Sequence, residues 1–131
     1  MLYREIIEIE TEKDKSYDIT KKVAEIVKNS DLHEGLCNIF LKGTTAGLII
    51  NENEQMLNAD FLRMFREIDE KRLCNHPSNG FSHLRAGMLD TEKTMPVANG
   101  KLILGTWQNI LLWEFDAEGR KREIIVSISG P

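Results

Sequence analysis

The amino-acid sequence predicts one soluble α+β domain that spans residues 1–131, and three observations support this prediction. The first is length, because 131 residues can bury a hydrophobic core without disulfides or a structural metal. The second is composition, since 41% hydrophobic and 29% charged residues are typical of a globular protein. The third is order: strand-like and helix-like segments alternate first, and a run of strand-like segments ends the chain. We therefore expect a large mixed or antiparallel sheet with two to three helices.

The first elements are an amphipathic strand and an amphipathic helix. Residues 2–10 nearly alternate between apolar and charged side chains, which is typical of a strand with one solvated face. Asp18 can then accept a hydrogen bond from the first turn of a helix. The apolar residues that follow it fall on one helical face, namely Ile19, Val23, Ile26 and Val27.

Two apolar runs and a second helix follow. Residues 36–41 and 46–50 are separated by a segment containing Gly43, which predicts two buried strands or one long strand bent at Gly43. Residues 51–54 are polar and end the strand, and Asn51 can cap the next helix. Residues 57–68 carry their apolar side chains on one helical face, which is the clearest helical pattern in the chain.

The last part of the chain is predicted to be mainly strands. Residues 72–82 include Pro77 and Gly80 and are expected to form a loop, after which Ser82 can cap a short helix through residue 89. Strand patterns then cover residues 95–97, 101–104, 107–115 and 122–129. Residues 116–119 have the composition of a short turn, so we expect the last two strands to form a hairpin.

Charge and cysteine content exclude several classes of function. The formal charge of −4 and pI near 5.4 argue against nucleic acid or an anionic membrane as a partner. The longest apolar runs are too short to span a bilayer, and the first residues lack the apolar stretch of a signal peptide. Cys37 and Cys74 are too few for a disulfide framework and are expected to be reduced, buried thiols. The sequence therefore predicts a cytoplasmic protein.

Polar residues at the predicted strand ends form a first candidate site. Thr44 and Thr45 carry hydroxyls beside Gly43, an arrangement that can hold a phosphate or carboxylate. A strand bend with surface threonines explains the same residues equally well. Asn51 and Glu52 lie where a strand gives way to a helix and are either site residues or residues of the helix start.

A pair of histidines forms a second candidate. His76 and His83 are seven residues apart across a Pro/Gly loop, which is not a standard zinc-ligand interval. Histidine nevertheless transfers protons near neutral pH and binds divalent metals, and Glu52 or Asp60 can supply a further ligand. His33 we interpret as a surface residue.

Aromatic residues form a third candidate, because Trp107 and Gln108 can stack on and hydrogen-bond a flat heterocycle. Ordinary packing is the more frequent role of tryptophan. None of the GxSxG, Walker-type, dinucleotide GxGxxG or HExxH motifs occurs in the sequence.

Taken in order, these motifs resemble the YjbQ-like family (uncharacterised protein family 0047). The resemblance runs over nearly the whole chain. It is carried by the segments 44–53, Asp60, Ser82-His83-Leu84, Met95-Pro96-Val97, 100–108, Glu114-Phe115, and Arg120 with Arg122.

The resemblance implies a homotrimer with a polar pocket near the subunit boundaries. It also implies a weak or secondary thiamine-phosphate synthase-like transferase, which joins a phosphorylated pyrimidine to a phosphorylated thiazole and releases pyrophosphate. In that case the catalytic residues are His83, Glu52 and Asp60, and a divalent ion, Zn or Mg, is held by His76 and His83 or by the two carboxylates. The implied substrate-binding residues are Thr44, Thr45, Asn51, Ser82, Trp107 and Gln108, with Lys101 or Arg85 on a phosphate.

One position departs from the family pattern. Many relatives carry histidine directly before the paired hydroxyl residues, where this chain has Gly43. A three-histidine metal centre would therefore lack one ligand here. Two other functions stay open: a metal-dependent hydrolase of unknown substrate, and a non-catalytic trimeric binding or scaffold protein.

Overall fold

The computed structural model describes residues 1–71 and 74–131 and confirms the α+β class. The elements, in chain order, are β1 (Leu2–Glu10), β2 (Ser16–Asp18), α1 (Thr20–Asn29), β3 (Gly35–Leu41), β4 (Ala46–Asn51), α2 (Gln55–Phe65), α3 (Gly80–Gly87), β5 (Glu92–Ala98), β6 (Lys101–Leu102), β7 (Asn109–Glu114) and β8 (Lys121–Ser129).

The strands divide between two sheets. The larger sheet has the order β1-β8-β3-β5-β6, and the smaller sheet has the order β2-β7-β4. The strand pairings among the described residues are all antiparallel. β8 lies inside the larger sheet, paired with β1 on one side and with β3 on the other.

The hydrophobic core forms two layers, one on each face of the smaller sheet. Leu48 and Leu112 point toward the larger sheet and pack with α1 in the main core. Trp113 and Phe115 point the other way and pack against Phe65 of α2. Because successive side chains of a strand point to opposite faces, β4 and β7 are buried on both sides. That burial explains their nearly continuous apolar sequence.

The chain passes repeatedly from one sheet to the other, and two of these connections correct sequence expectations. β3 lies in the larger sheet and β4 in the smaller, so residues 36–50 are not one long bent strand. β7 and β8 also lie in different sheets, so the expected hairpin at residues 116–119 is wrong. Turn composition alone does not reveal which sheet the next strand enters.

The first helix start agrees with the expected hydrogen bond, and the other two differ from the expected caps. Asp18 accepts from the backbone N–H of Thr20, the first residue of α1, at 2.9 Å and also from the Thr20 hydroxyl, while Ile19 occupies the N-cap position itself. Glu54, not Asn51, caps α2 by accepting from the backbone N–H groups of residues 56 and 57.

Ser82 does not cap α3 either. The helix begins at Gly80, and the buried Ser82 hydroxyl donates to the carbonyl of Asn79 at 2.6 Å. In the expected loop 72–82, residues 74–79 form bends and turns, and residues 72 and 73 lie outside the described residues.

The remaining sequence predictions concern thiols and membrane helices. Both cysteines are free; Cys37 is buried as expected, whereas Cys74 is half-buried. Within residues 1–71 and 74–131, no helix is long and apolar enough to cross a membrane.

Candidate functional site

The start of β4 and the end of α3 can approach closely because Gly47 has no side chain. A Cβ atom at Gly47 would lie 2.7 Å from Cβ of Leu89, so glycine is what allows the segment after α3 to approach the strand. The backbone N–H of Leu48 donates to the carbonyl of Asp90 at 2.7 Å and fastens that segment to β4. His83, on α3, is thereby placed beside the loop that precedes β4.

These elements enclose a cleft of about 350 Å³. We call it the histidine cleft; its polar side chains are Thr44, His83, Asp90 and Thr91, and its glycines are Gly43 and Gly87. The volume lies in the range of small-molecule sites, about 300–1,000 Å³. Of the residues predicted from the sequence, the cleft brings together Thr44 and His83.

His76 lies next to His83 at the entrance to α3. The two ring centroids are 4.6 Å apart, and the rings are tilted by 48°. Nδ1 of His76 lies 3.0 Å from the carbonyl oxygen of Pro77, which can only accept a hydrogen bond. In the neutral ring Nδ1 therefore carries the proton, and Nε2 keeps a lone pair for a metal or a proton donor.

The histidine pair does not complete a metal site within one chain. Among residues 1–71 and 74–131, no group of three His, Cys, Asp or Glu side chains is arranged to hold a metal ion. Asp60 is exposed on α2 and accepts from Arg63 at 3.1 Å, and neither Asp60 nor Glu52 lines the histidine cleft. His76 and His83 would thus supply two nitrogen ligands, and a structural or catalytic zinc site needs at least one more from elsewhere.

A second group of predicted residues lies at the opposite end of β4, and we call it the tryptophan end: Asn51, Glu52, Trp107 and Gln108. Asn51 pairs with Asn109 of β7, which places it close to the Trp107–Gln108 segment. Trp107 is 71% exposed, and the Gln108 Oε1 atom accepts from the backbone N–H of Gly105 at 2.7 Å. Five residue steps of β4 separate Ala46, which lines the histidine cleft, from Asn51, or about 17 Å. One chain therefore does not unite the tryptophan end with the histidine cleft.

The remaining hydroxyls of the prediction are engaged in internal hydrogen bonds. The Thr45 side chain is buried and accepts from Nη2 of Arg122 at 2.7 Å. Ser82 is fully buried, with its hydroxyl bonded to the carbonyl of Asn79. Both residues shape the walls of the cleft through the backbone and do not line it.

A buried network of charged residues supports the loop beside the cleft. Arg122 donates from Nε and Nη2 to the Glu114 carboxylate at 2.7 and 2.6 Å. Glu114 also accepts from the hydroxyl of Thr11 at 2.6 Å, and Arg122 and Glu114 are 2% and 0% exposed. Because Glu114 lies in β7 and Arg122 in β8, this pair links the smaller sheet to the larger one.

The other cations considered for phosphate lie elsewhere. Arg85 is buried on the far side of α3, where it donates to the carbonyl of Ile68 and to Asp14. Burial lowers the pKa of the Arg85 guanidinium from its usual range, and the Asp14 carboxylate opposes that shift. Lys101 lines a separate cleft beside α1.

The sequence interpretation missed Asp90, Thr91 and the role of Arg122. A signal for Arg122 was present, because it lies two residues before Ile124 and so shares the inward face with Val126 and Ile128. Asp90 and Thr91 carried no such signal, since their position depends on how α3 folds back onto β4.

Comparisons with known proteins agree with this architecture. The model of the family described as UPF0047 protein YjbQ-like matches residues 5–131. A UPF0047 protein of Synechocystis is 33% identical over 98% of this chain and 92% of its own length. The UPF0047 protein YugU of Bacillus subtilis is 35% identical over 92% of this chain and 93% of its own.

Solved structures agree as well. The crystal structure of a YbjQ-like protein of unknown function from Sulfolobus solfataricus has a TM-score of 0.95 and 37% identity, covering 100% of this chain and 99% of that one. A YjbQ/UPF0047 family protein from Clostridium acetobutylicum has a TM-score of 0.89 and 32% identity, covering 95% and 98%. The motifs, the fold and these matches together show that the chain belongs to the YjbQ-like UPF0047 family.

Proposed function

We propose that the protein binds a small phosphorylated molecule in the histidine cleft and, as a weak or secondary activity, joins a phosphorylated pyrimidine to a phosphorylated thiazole. The observation that carries the proposal is that His83 and Thr44 line one cleft of about 350 Å³. A proton-transferring imidazole opposite a hydroxyl is suited to a substrate that changes charge as a phosphate group leaves.

The chemistry assigns a limited role to each residue. A carbon–nitrogen bond forms between the two heterocycles while the carbon–oxygen bond to the diphosphate breaks, and the electron pair leaves with pyrophosphate. His83 donates a proton or hydrogen bond to the departing oxygen, which lowers the cost of the charge that develops there. Thr44 orients the phosphate through its hydroxyl. A divalent ion, when bound, would neutralise the diphosphate.

The proposal further holds that two copies of the chain build each complete site. Trp107 and Gln108 are suited to stack on and hydrogen-bond a flat heterocycle, yet they lie at the far end of β4 from His83. In a cyclic homotrimer, the tryptophan end of one subunit can meet the histidine cleft of the next. Asn51 and Glu52 then enter the same site.

The first test is the joining reaction itself. Purified protein is incubated with the aminopyrimidine diphosphate and the thiazole phosphate, and pyrophosphate release is followed with and without Mg²⁺. We expect slow turnover in the wild type and a loss of about 10²-fold or more in His83→Ala, the usual contribution of a general acid. Leu84→Ala, the exposed neighbour of His83, is the matched control and should retain activity. Equal activity in wild type and His83→Ala would exclude the proposed role.

A mixing experiment tests the shared site. His83→Ala and Trp107→Ala are each inactive under the proposal, and refolding them together produces mixed trimers. In about a quarter of the sites an intact His83 then faces an intact Trp107 from a neighbouring subunit, so activity should partly return. A site contained within one chain would give no recovery.

A metal-assisted hydrolase is the second candidate, and the adjacent rings of His76 and His83, which offer two nitrogen ligands, favour it. Elemental analysis of tag-free protein tests it directly. A stoichiometric divalent metal that is lost in His83→Ala supports this candidate. The absence of metal in wild type after purification without chelators would exclude it and leave phosphorylated-ligand binding as the function to measure.

A further inference from the structure

The Arg122 side chain lies against Gly43, a residue that lines the histidine cleft. Its Nε and Nη2 atoms are occupied by Glu114 and Thr45. Its Nη1 atom lies under Gly43, where a Cβ atom would be only 2.5 Å away. Gly43 has φ of +139°, a conformation that side chains other than glycine rarely adopt.

The Nη1 atom is a donor without a partner in the described part of the chain. Arg122 is only 2% exposed, yet no acceptor for Nη1 occurs among the side-chain hydrogen bonds of residues 1–71 and 74–131. Among the described residues, the side-chain polar atoms that are both fully buried and without a hydrogen bond do not include Nη1 of Arg122. Nη1 therefore retains contact with solvent. Arg122 does not itself line the histidine cleft, whereas Gly43, whose missing side chain would face Nη1, does.

Two further donors lie at the same opening. The backbone N–H groups of Gly43 and Thr44 have no acceptor among the described residues, and both residues line the histidine cleft. The hydroxyl of Thr44 belongs to the same exposed loop. A guanidinium nitrogen, two amides and a hydroxyl thus lie at one edge of the cleft. The Asp90 carboxylate, which belongs to another lining residue, is exposed and paired with Nζ of Lys93 at 3.4 Å.

We propose that this edge is an oxyanion subsite that binds a phosphoryl group of the ligand, with Nη1 of Arg122 as its buried donor. The proposal rests on the proposed function for the location of the ligand in the histidine cleft. Arginine is suited to phosphate because its planar donors match the oxygen positions. Glu114 already balances the charge of Arg122, so the subsite acts through directed hydrogen bonds at one edge.

This assignment gives Gly43 a function of its own. A side chain at position 43 would fill the opening and cover Nη1. The absence of a side chain at position 43 therefore leaves a phosphate donor accessible.

Calorimetric titration with inorganic pyrophosphate and inorganic phosphate tests the subsite in the full chain. Gly43→Ala should weaken pyrophosphate binding by about tenfold or more, the loss associated with one charge-assisted hydrogen bond. Met88→Ala is the control, because Met88 is 52% exposed at the end of α3 and does not line the cleft. It should alter binding by about twofold at most. Wild-type affinity in a folded Gly43→Ala protein would overturn the proposal.

A second measurement does not depend on the folding of a variant. In wild-type protein, the side-chain ¹⁵N resonances of Arg122 are followed by NMR during the pyrophosphate titration. They should shift and saturate together with the backbone amides of Gly43 and Thr44. Unchanged Arg122 resonances, at concentrations where the Thr44 amide has saturated, would overturn the proposal.

The two proposals fail in different ways. If the wild type shows no joining activity but Gly43→Ala loses pyrophosphate binding, the subsite stands and the proposed transfer is wrong. If the wild type is active, His83→Ala is inactive and Gly43→Ala binds pyrophosphate normally, the transfer stands and the subsite is wrong.

Discussion

Glu114 has a fully buried carboxylate, and both of its oxygens accept hydrogen bonds. It accepts from Arg122, from the hydroxyl of Thr11 and, at 3.0 Å, from the backbone N–H of Asp116. Removing one partner of a buried ion pair leaves the other charge without compensation, which costs far more than breaking a surface pair. The same residue connects the sheets and supports the loop of the histidine cleft.

We predict that a conservative substitution of Glu114 causes a large loss of stability. Glu114→Gln should lower the free energy of unfolding by about 3–5 kcal/mol, because the Arg122 charge stays buried without its counter-ion. The comparison is Arg63→Gln, which breaks an exposed pair with Asp60 and should cost at most about 1 kcal/mol. Urea unfolding followed by circular dichroism measures both. Equal losses in the two variants would show that the Arg122–Glu114 pair has no special structural role.

The burial of the Cys37 thiol predicts how the stability of the protein changes at alkaline pH. Burial raises the pKa of the Cys37 thiol to about 12, from an ordinary value of 9.0. The unfolded chain therefore releases this proton first, and the folded state loses stability as pH rises from 9 toward 12, by about 1.4 kcal/mol per pH unit at most. Below pH 9 the contribution is fully present.

The measurement is urea unfolding of wild type and Cys37→Ala across this pH range. Other groups titrate there too, since the pKa of Tyr3 is raised by its hydrogen bond to Glu5, so the difference between the two proteins isolates Cys37. The variant should show the shallower decline, and Cys74→Ala should follow the wild type. Parallel profiles for wild type and Cys37→Ala would contradict the predicted titration.

At the scale of elements, the sequence predicted the strands and helices better than their connections. Alternation predicted β1 and helical spacing predicted α1, because each element buries one face and its pattern records that face. β2 was missed, since three residues are too short to show a period. The sheets were not separated, because the apolar runs of β3 and β4 look alike although their partners differ.

The start of α2 gives a prediction at this scale. Glu54 accepts from the backbone N–H groups of Met56 at 2.6 Å and Leu57 at 3.1 Å, which satisfies two donors that the helix itself leaves free. Glu54→Ala should reduce the free energy of unfolding by about 1 kcal/mol. Gln55→Ala, the exposed first residue of the helix, is the control and should change it by about 0.5 kcal/mol or less. Thermal unfolding by calorimetry distinguishes the two, and an unchanged Glu54→Ala transition would show that another group caps the helix.

At the scale of the whole molecule, the sequence indicated candidate residues but not how the fold groups them. Motif order indicated His83, Thr44, Trp107 and Gln108, yet the first two lie near the start of β4 and the last two near its other end. Asp90 reaches the cleft only through the tertiary fold, and no local pattern records such proximity. Family resemblance supplies the expectation of a trimer, in which the two ends can meet.

We therefore predict the size of the assembly and its dependence on Trp107. Light scattering at micromolar concentration should give about three times the 15.0 kDa mass of one chain. Trp107→Ala should weaken the trimer, so that dilution releases monomer at a higher protein concentration than for the wild type, because the exposed aromatic surface is expected to become interface area. Met56→Ala, which is 75% exposed compared with 71% for Trp107, is the matched control and should remain trimeric. A monomeric wild type would contradict the shared site.

The position of β8 inside the larger sheet has a consequence for biosynthesis. A ribosome releases β1 and β3 long before residues 121–129, yet both strands pair with β8. Until that segment emerges, β1 lacks its partner, and the buried faces around Ile7 and Ile39 remain open to other nascent chains. The sheet thus closes only after residues 121–129 have emerged, and the interval before closure is when the nascent chain is most open to aggregation and to binding by chaperones.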